Sequence, residues 1–158
     1  MKFQDYIIEG TKVAVDEVFR YARNVPADKL EWKPLDEGRS ILDICRELAM
    51  CPLWSVMILE GKEMPDMSGE QESGDCSGPT LDTVEACEAL CRQNLESFYA
   101  AVSAFPDEKL KDTYVLPFDG GQTINMEANM DYPRWNFTYH VGQIAYIQTL
   151  DGDKKIYW

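Results

Sequence analysis

Histidine is nearly missing from this sequence: the 158 residues contain one, His140. Positive charge is also scarce, with 15 Lys+Arg against 28 Asp+Glu and a formal net charge of −13. Nucleic-acid binding needs a basic footprint to displace counterions from phosphate, so that class of partner is excluded. No apolar run approaches the roughly 20 residues of a membrane-spanning helix. The opening MKFQDYIIEG carries acidic residues within a short apolar run, unlike a signal peptide. The five cysteines are odd in number and form no C-x-x-C pair, which argues against a disulfide framework. Phosphate-loop, nucleophile-elbow and catalytic-cysteine motifs are missing too. These absences point to one cytoplasmic domain with buried, reduced thiols.

What remains is mostly helical patterning. Tyr6, Ile7, Val13, Ala14, Val18 and Tyr21 recur near the helical period, predicting a first helix over Phe3–Asn24. Ser40, with Asp43 three residues on, reads as a capping box opening a second helix over Ile41–Glu60. Pro52 interrupts that helix. A Gly-, Ser- and acid-rich stretch, Gly61 to Thr80, reads as a solvated crossover loop. A third helix is expected over Leu81–Ala104 and a fourth over Met126–Leu150. The turns P-A-D-K-L and P-D-E-K-L follow helices one and three with similar punctuation. Between the second of these turns and the last helix, Thr113–Asn125 alternates around Asp-Gly-Gly as a small β-hairpin does. The fold class is all-α: an up-down-down-up four-helix bundle with a long crossover loop and a hairpin before the last helix.

Two positions break the apolar pattern. On helix two, Glu47 falls within the stripe Ile44, Leu48, Cys51, Trp54 and Ile58, and acids are almost never buried unless paired. On helix four, Asn136 and His140 sit one turn apart on one face with Gln143, and need hydrogen-bond partners inside the bundle. Glu47 and His140 are therefore expected to meet across the bundle, directly or through a water or ion. Trp135, Tyr139 and Tyr146 dress the neighbouring face, and read as core or a dimer seam before a ligand cage.

The run from Asn136, N-x-x-x-H-x-G-Q-I-x-Y-I-Q-x-L-x-G-D, resembles the last-helix signature of the DinB-like (DinB/YfiT) superfamily, which usually reads H-x-x-x-H-x-G-Q. The resemblance implies a single four-helix-bundle domain over residues 1–158, a homodimer, and a divalent metal such as zinc or nickel. Carried over residue by residue, the ligands would be Glu47, Asn136 and His140, with Glu47 and His140 as the catalytic pair. Asn136 and Glu47 stand where the family pattern has histidines, and a neutral amide oxygen suits hard cations better than zinc or nickel. Two functions follow. One is a thiol-dependent transferase or related enzyme acting on a small molecule, with a weakened metal or the Glu47–His140 pair as base. The other is a metal-free small-molecule-binding or structural protein.

Overall fold

The computed structural model describes residues 1–35, 38–64, 80–117 and 120–157. Most of the expected crossover loop, with Cys76, Asp119 and Trp158, therefore lies outside the described residues. Four helices carry the fold: α1 (Phe3–Ala22), α2 (Ile41–Leu59), α3 (Val84–Ala104) and α4 (Met126–Leu150). A two-stranded antiparallel hairpin, β1 (Thr113–Val115) and β2 (Thr123–Asn125), precedes α4. The described chain contains no helix long and apolar enough to cross a membrane.

Side-chain contacts fix the helix directions. Gln148 near the end of α4 donates to the Tyr21 carbonyl near the end of α1, at 3.2 Å, so these helices run parallel. Further back along both helices, the stem of Arg134 on α4 crosses Gly10 of α1. A Cβ there would meet Arg134 Cδ at 2.8 Å, which is why a glycine tolerates the crossing. Helices α2 and α3 are also parallel: Arg46 donates to the Leu81 carbonyl at 3.0 Å, and Asn94 to the Ala49 carbonyl at 2.8 Å. Between the pairs the sense reverses. On α1 and α3, Asp16 meets Arg92 at 2.8 Å, while Gln4 donates to the Phe105 carbonyl at 3.1 Å. The result is the up-down-down-up order. Phe19, Phe98, Phe137, Leu48, Met130 and Ile144, all fully buried, fill the space the helices share.

The two proline turns do matching work. The 3₁₀ turns Ala27–Lys29 and Asp107–Lys109 each bring a leucine carbonyl to the next helix start, where backbone N–H groups lack partners. The Leu42 amide donates to the Leu30 carbonyl at 3.0 Å, and the Glu127 amide to the Leu110 carbonyl at 3.2 Å. Helix α3 starts at Val84 rather than at the expected Leu81, because Thr83 is the cap, its hydroxyl accepting from the Ala86 amide at 3.1 Å. Helix α1 stops at Ala22, two residues short of expectation, and α2 at Leu59, one short. Gly120 and Gly121 take φ of 71° and 83° at the hairpin turn, a conformation other residues resist.

Both helix prolines leave their helices continuous. Pro133 cannot donate to the Asn129 carbonyl one turn earlier, and Ser55 of α2 supplies the missing hydrogen bond from its hydroxyl at 3.2 Å. Asn129 returns its side-chain amide to the Ser55 carbonyl at 3.1 Å. This fully buried pair ties α2 to α4.

Ser55→Ala strips the Asn129 carbonyl of its partner and is expected to cost about 1–3 kcal/mol in urea unfolding. In a Pro133→Ala background the restored backbone N–H takes over, so the same substitution should cost less there. Equal costs in the two backgrounds would show that the proline is not what created the need for Ser55.

Candidate functional site

The site is built outward from the start of α2. Ser40 and Asp43 form the expected capping box: the Ser40 hydroxyl accepts from the Asp43 amide at 3.0 Å, and the Asp43 carboxylate accepts from the Ser40 amide at 3.2 Å. That box fixes where the preceding residue, Arg39, leaves the helix. Its guanidinium folds back along α2, donating to the Asp43 carbonyl at 3.0 Å and to Glu47 Oε2. Glu47 Oε1 faces α4, where it accepts from Asn136 Nδ2 at 3.1 Å and lies 3.2 Å from His140 Nε2. The three residues singled out from the sequence thus meet at one oxygen atom. His140 is 3% exposed and Glu47 23%.

The network continues outward. His140 Nδ1 lies 2.6 Å from Gln143 Oε1, and Gln143 donates to the Tyr139 hydroxyl at 3.1 Å. With the Gln143 amide so turned, an imidazolium donates from both nitrogens. With the amide reversed, Gln143 donates to Nδ1, and a neutral ring still donates from Nε2 to Glu47. The Glu47–His140 bond survives in either charge state. The hydrogen bond from His140 does most to hold the Glu47 carboxyl down, to about 2, against the opposing effect of its burial. Arg39 and Asn136 push in the same direction. One turn further along α2, burial pushes the Cys51 thiol up to about 12, so it offers no reactive thiolate.

Beside Glu47 opens a cavity of about 740 Å³ between α2, α4 and the hairpin. Trp54 and Ile58 of α2, Leu116 and Ile124 of the hairpin, and Tyr132 and Trp135 of α4 supply its apolar wall. The Ser55–Asn129 pair lines it as well. Tyr114 accepts from the Met64 amide at 3.4 Å, which ties the hairpin to the chain just after α2. Glu47 belongs to the cavity wall, whereas His140 and Asn136 stand behind it and do not line it.

Sequence reasoning missed Arg39, although an arginine directly before a capping box can reach along the first two helical turns. It placed Gln143 on the polar face without assigning it a role. The aromatic face divides. Trp135 stacks between Tyr132 at 6.0 Å and Tyr139 at 5.4 Å, and both Tyr132 and Trp135 line the cavity. Trp135, Tyr139 and Tyr146 are all more than half exposed, as are Tyr6 and Val13 of α1, and of the three only Trp135 lines the cavity.

The donor set decides whether a zinc or nickel ion fits. Two strong ligands are present, one carboxylate and one imidazole, and the third is a neutral amide that turns its N–H₂ toward Glu47. A cation on Glu47 would also have to share that carboxylate with the Arg39 guanidinium. Among the described residues, no group of three or more His, Cys, Asp and Glu is placed to hold an ion. An open site of three strong ligands, of the kind catalytic zinc uses, is not what these residues make. The Arg39 guanidinium already pairs the charge of the carboxylate.

No protein-family model matches the sequence, and no curated protein does. Solved structures do match. YfiT from Bacillus subtilis, described as a probable metal-dependent hydrolase with an unusual four-helix bundle topology, superposes with a TM-score of 0.74 at 16% identity, over 94% of this chain and 87% of that one. A DinB-like protein from the same organism, YjoA, gives a TM-score of 0.64 at 15% identity, over 96% of each chain. At such identities the likeness shows a shared DinB-like fold and nothing of activity.

Because Glu47 titrates lower in the folded chain than its ordinary 4.5, its pairing stabilises the fold fully above that pH. The contribution is lost as pH falls toward about 2. Glu47→Gln should therefore lose less stability than the unmodified protein across that window, measured by urea unfolding at stepped pH. Asp43 and Glu88, also held low, contribute equally to both proteins and cancel in the difference. Parallel stability–pH curves would contradict the pairing.

Proposed function

We propose that this chain, which has the fold of the DinB-like proteins, binds a small molecule in the cavity beside Glu47 and does so without a resident transition metal. The observation that carries the reading is the ionised Glu47 carboxylate set into an otherwise largely apolar wall. Ligand sites of about 300–1,000 Å³ are typically apolar with a few placed polar groups, and this cavity of about 740 Å³ has that character. Glu47 anchors the ligand, while Arg39, Asn136 and His140 fix its position and charge. His140 acts through Glu47 and is a positioning residue, since it does not reach the cavity.

The enzymatic reading, a thiol-dependent transferase or a hydrolase, needs a group that activates a nucleophile. A carboxylate held at about 2 is a weak general base near neutral pH. The neighbouring Cys51 thiol is buried and protonated. The donor set does not suit a metal that would activate thiol or water. The binding reading requires none of these.

The test uses a neutral fluorescent probe, N-phenyl-1-naphthylamine. Saturable one-site binding to the unmodified protein is expected. Ala128→Trp, which places an indole at the exposed edge of the cavity, should weaken it by about tenfold or more with the helical content unchanged. Failure of the probe to bind, or equal binding by the variant, would overturn the reading.

The metal side is tested by calorimetry on untagged protein. Asn136→His gives α4 two imidazoles one turn apart and should tighten zinc binding by at least about tenfold over the unmodified chain. Zinc binding as tight in the unmodified protein as in the variant would show that Asn136 serves as a full ligand.

A further inference from the structure

Resting on that reading of the cavity, we infer that its ligand is an organic cation: an amine or quaternary ammonium carried on an apolar body, received by the rings of Trp54 and Tyr132 and by the carboxylates of Glu47 and Asp131.

Two independent features of the lining carry this. The first is its aromatic content. Trp54 of α2 and Tyr132 and Trp135 of α4 line one space, and because Trp135 is stacked between Tyr132 and Tyr139, Trp54 and Tyr132 are the lining rings that keep a face outside that stack. Aromatic faces attract a cation through the negative potential above the ring, and do so most where water is excluded. The second is the sign of the charge. Among the described residues, the ionisable groups lining the cavity are Glu47, Asp131 and Tyr132, with no lysine or arginine. Burial pushes the Tyr132 phenol up, so it stays neutral, and the carboxylates alone bring charge to the wall.

Both carboxylates have arginine partners, and the placing of those partners is what keeps the wall negative. Arg134 grips Asp131 through two bonds, Nε to Oδ1 at 2.6 Å and Nη2 to Oδ2 at 2.9 Å. Its stem lies over Gly10 of α1, and α1 contributes nothing to the cavity. Arg39 holds Glu47 from the start of α2 and likewise does not line the cavity. Each ion pair therefore presents its carboxylate to the cavity and keeps its guanidinium outside the lining. A carboxylate offers about four lone-pair sites. Glu47 meets Arg39, Asn136 and His140, and Asp131 accepts two bonds, so both keep acceptor capacity for a ligand.

An anion entering this space would meet two carboxylates and, among the described lining residues, no lysine or arginine to receive it. A neutral ligand would gain only the apolar walls. A cation gains the walls, the rings and the residual acceptors, and the chain's net charge of −13 concentrates cations around it.

The experiment displaces N-phenyl-1-naphthylamine with three compounds of similar shape at fixed ionic strength: benzyltrimethylammonium, its uncharged carbon analogue neopentylbenzene, and benzylsulfonate. The cation is expected to displace the probe at a concentration about tenfold or more below that of the neutral analogue, with the anion weakest. Asp131→Asn and Trp54→Leu should each shrink that preference, read as the ratio of the displacing concentrations of neopentylbenzene and benzyltrimethylammonium. Equal displacement by cation and neutral analogue, or a preference for the anion, overturns the inference and leaves the cavity reading intact. If the probe itself fails to bind, the cavity reading falls and this inference with it.

Discussion

One carboxylate inside a helical bundle constrains much of this structure. Glu47 sits on the core-facing stripe of α2, where an unpaired charge would cost several kcal/mol. Two helices and a cap cooperate to pair it. The capping box at Ser40 aims Arg39 back along α2, and α4 brings Asn136 and His140 to the opposite oxygen. That meeting sets the relative register of α2 and α4. Two turns further along α2, the Ser55–Asn129 pair holds the same register where Pro133 left a carbonyl without its helical donor. Polar groups in a bundle core add little net stability, but they penalise every arrangement in which they are unmatched.

The cavity follows from the same geometry. α2 and α4 are held by polar pairs at Glu47 and Ser55, and the hairpin leading into α4 closes over the space beside them. The polar network has one end in this cavity, at Glu47, and the other at the half-exposed Tyr139. Where the DinB-like resemblance implied histidine ligands and an ion, this chain supplies an arginine and an amide. The positive charge beside Glu47 is thus covalently part of the protein. A bound molecule meets a carboxylate already oriented and ionised, so little need be reorganised on binding.

Much of this was legible in the sequence, for physical reasons. Helical period, the S-x-x-D cap and the paired proline turns located four helices, because each records a local backbone requirement. Glu47, Asn136 and His140 stood out because burial of polar side chains leaves a visible break in an apolar stripe. Arg39 did not stand out, since an arginine in a polar connector resembles any solvated charge until the helix cap fixes its direction. The start of the third helix was read at Leu81, and only the backbone shows that the Thr83 hydroxyl is the cap. The cavity was the least legible feature. Trp54 comes from α2 and Tyr132 and Trp135 from α4, and whether such rings fill a core or line a space depends on how far apart the helices stand.

His140 is the only histidine, so untagged protein with ¹⁵N-labelled histidine gives a single pair of ring-nitrogen signals. Following that pair by NMR while zinc is added tests the central claim, that Arg39 and the hydrogen bonds of Asn136 and His140, rather than an ion, partner Glu47. The account predicts that both nitrogen signals stay in place through one equivalent of zinc, and that Nε2 moves when Glu47 is replaced by glutamine. Movement of Nε2 to a metal-bound position with the first equivalent of zinc would contradict it.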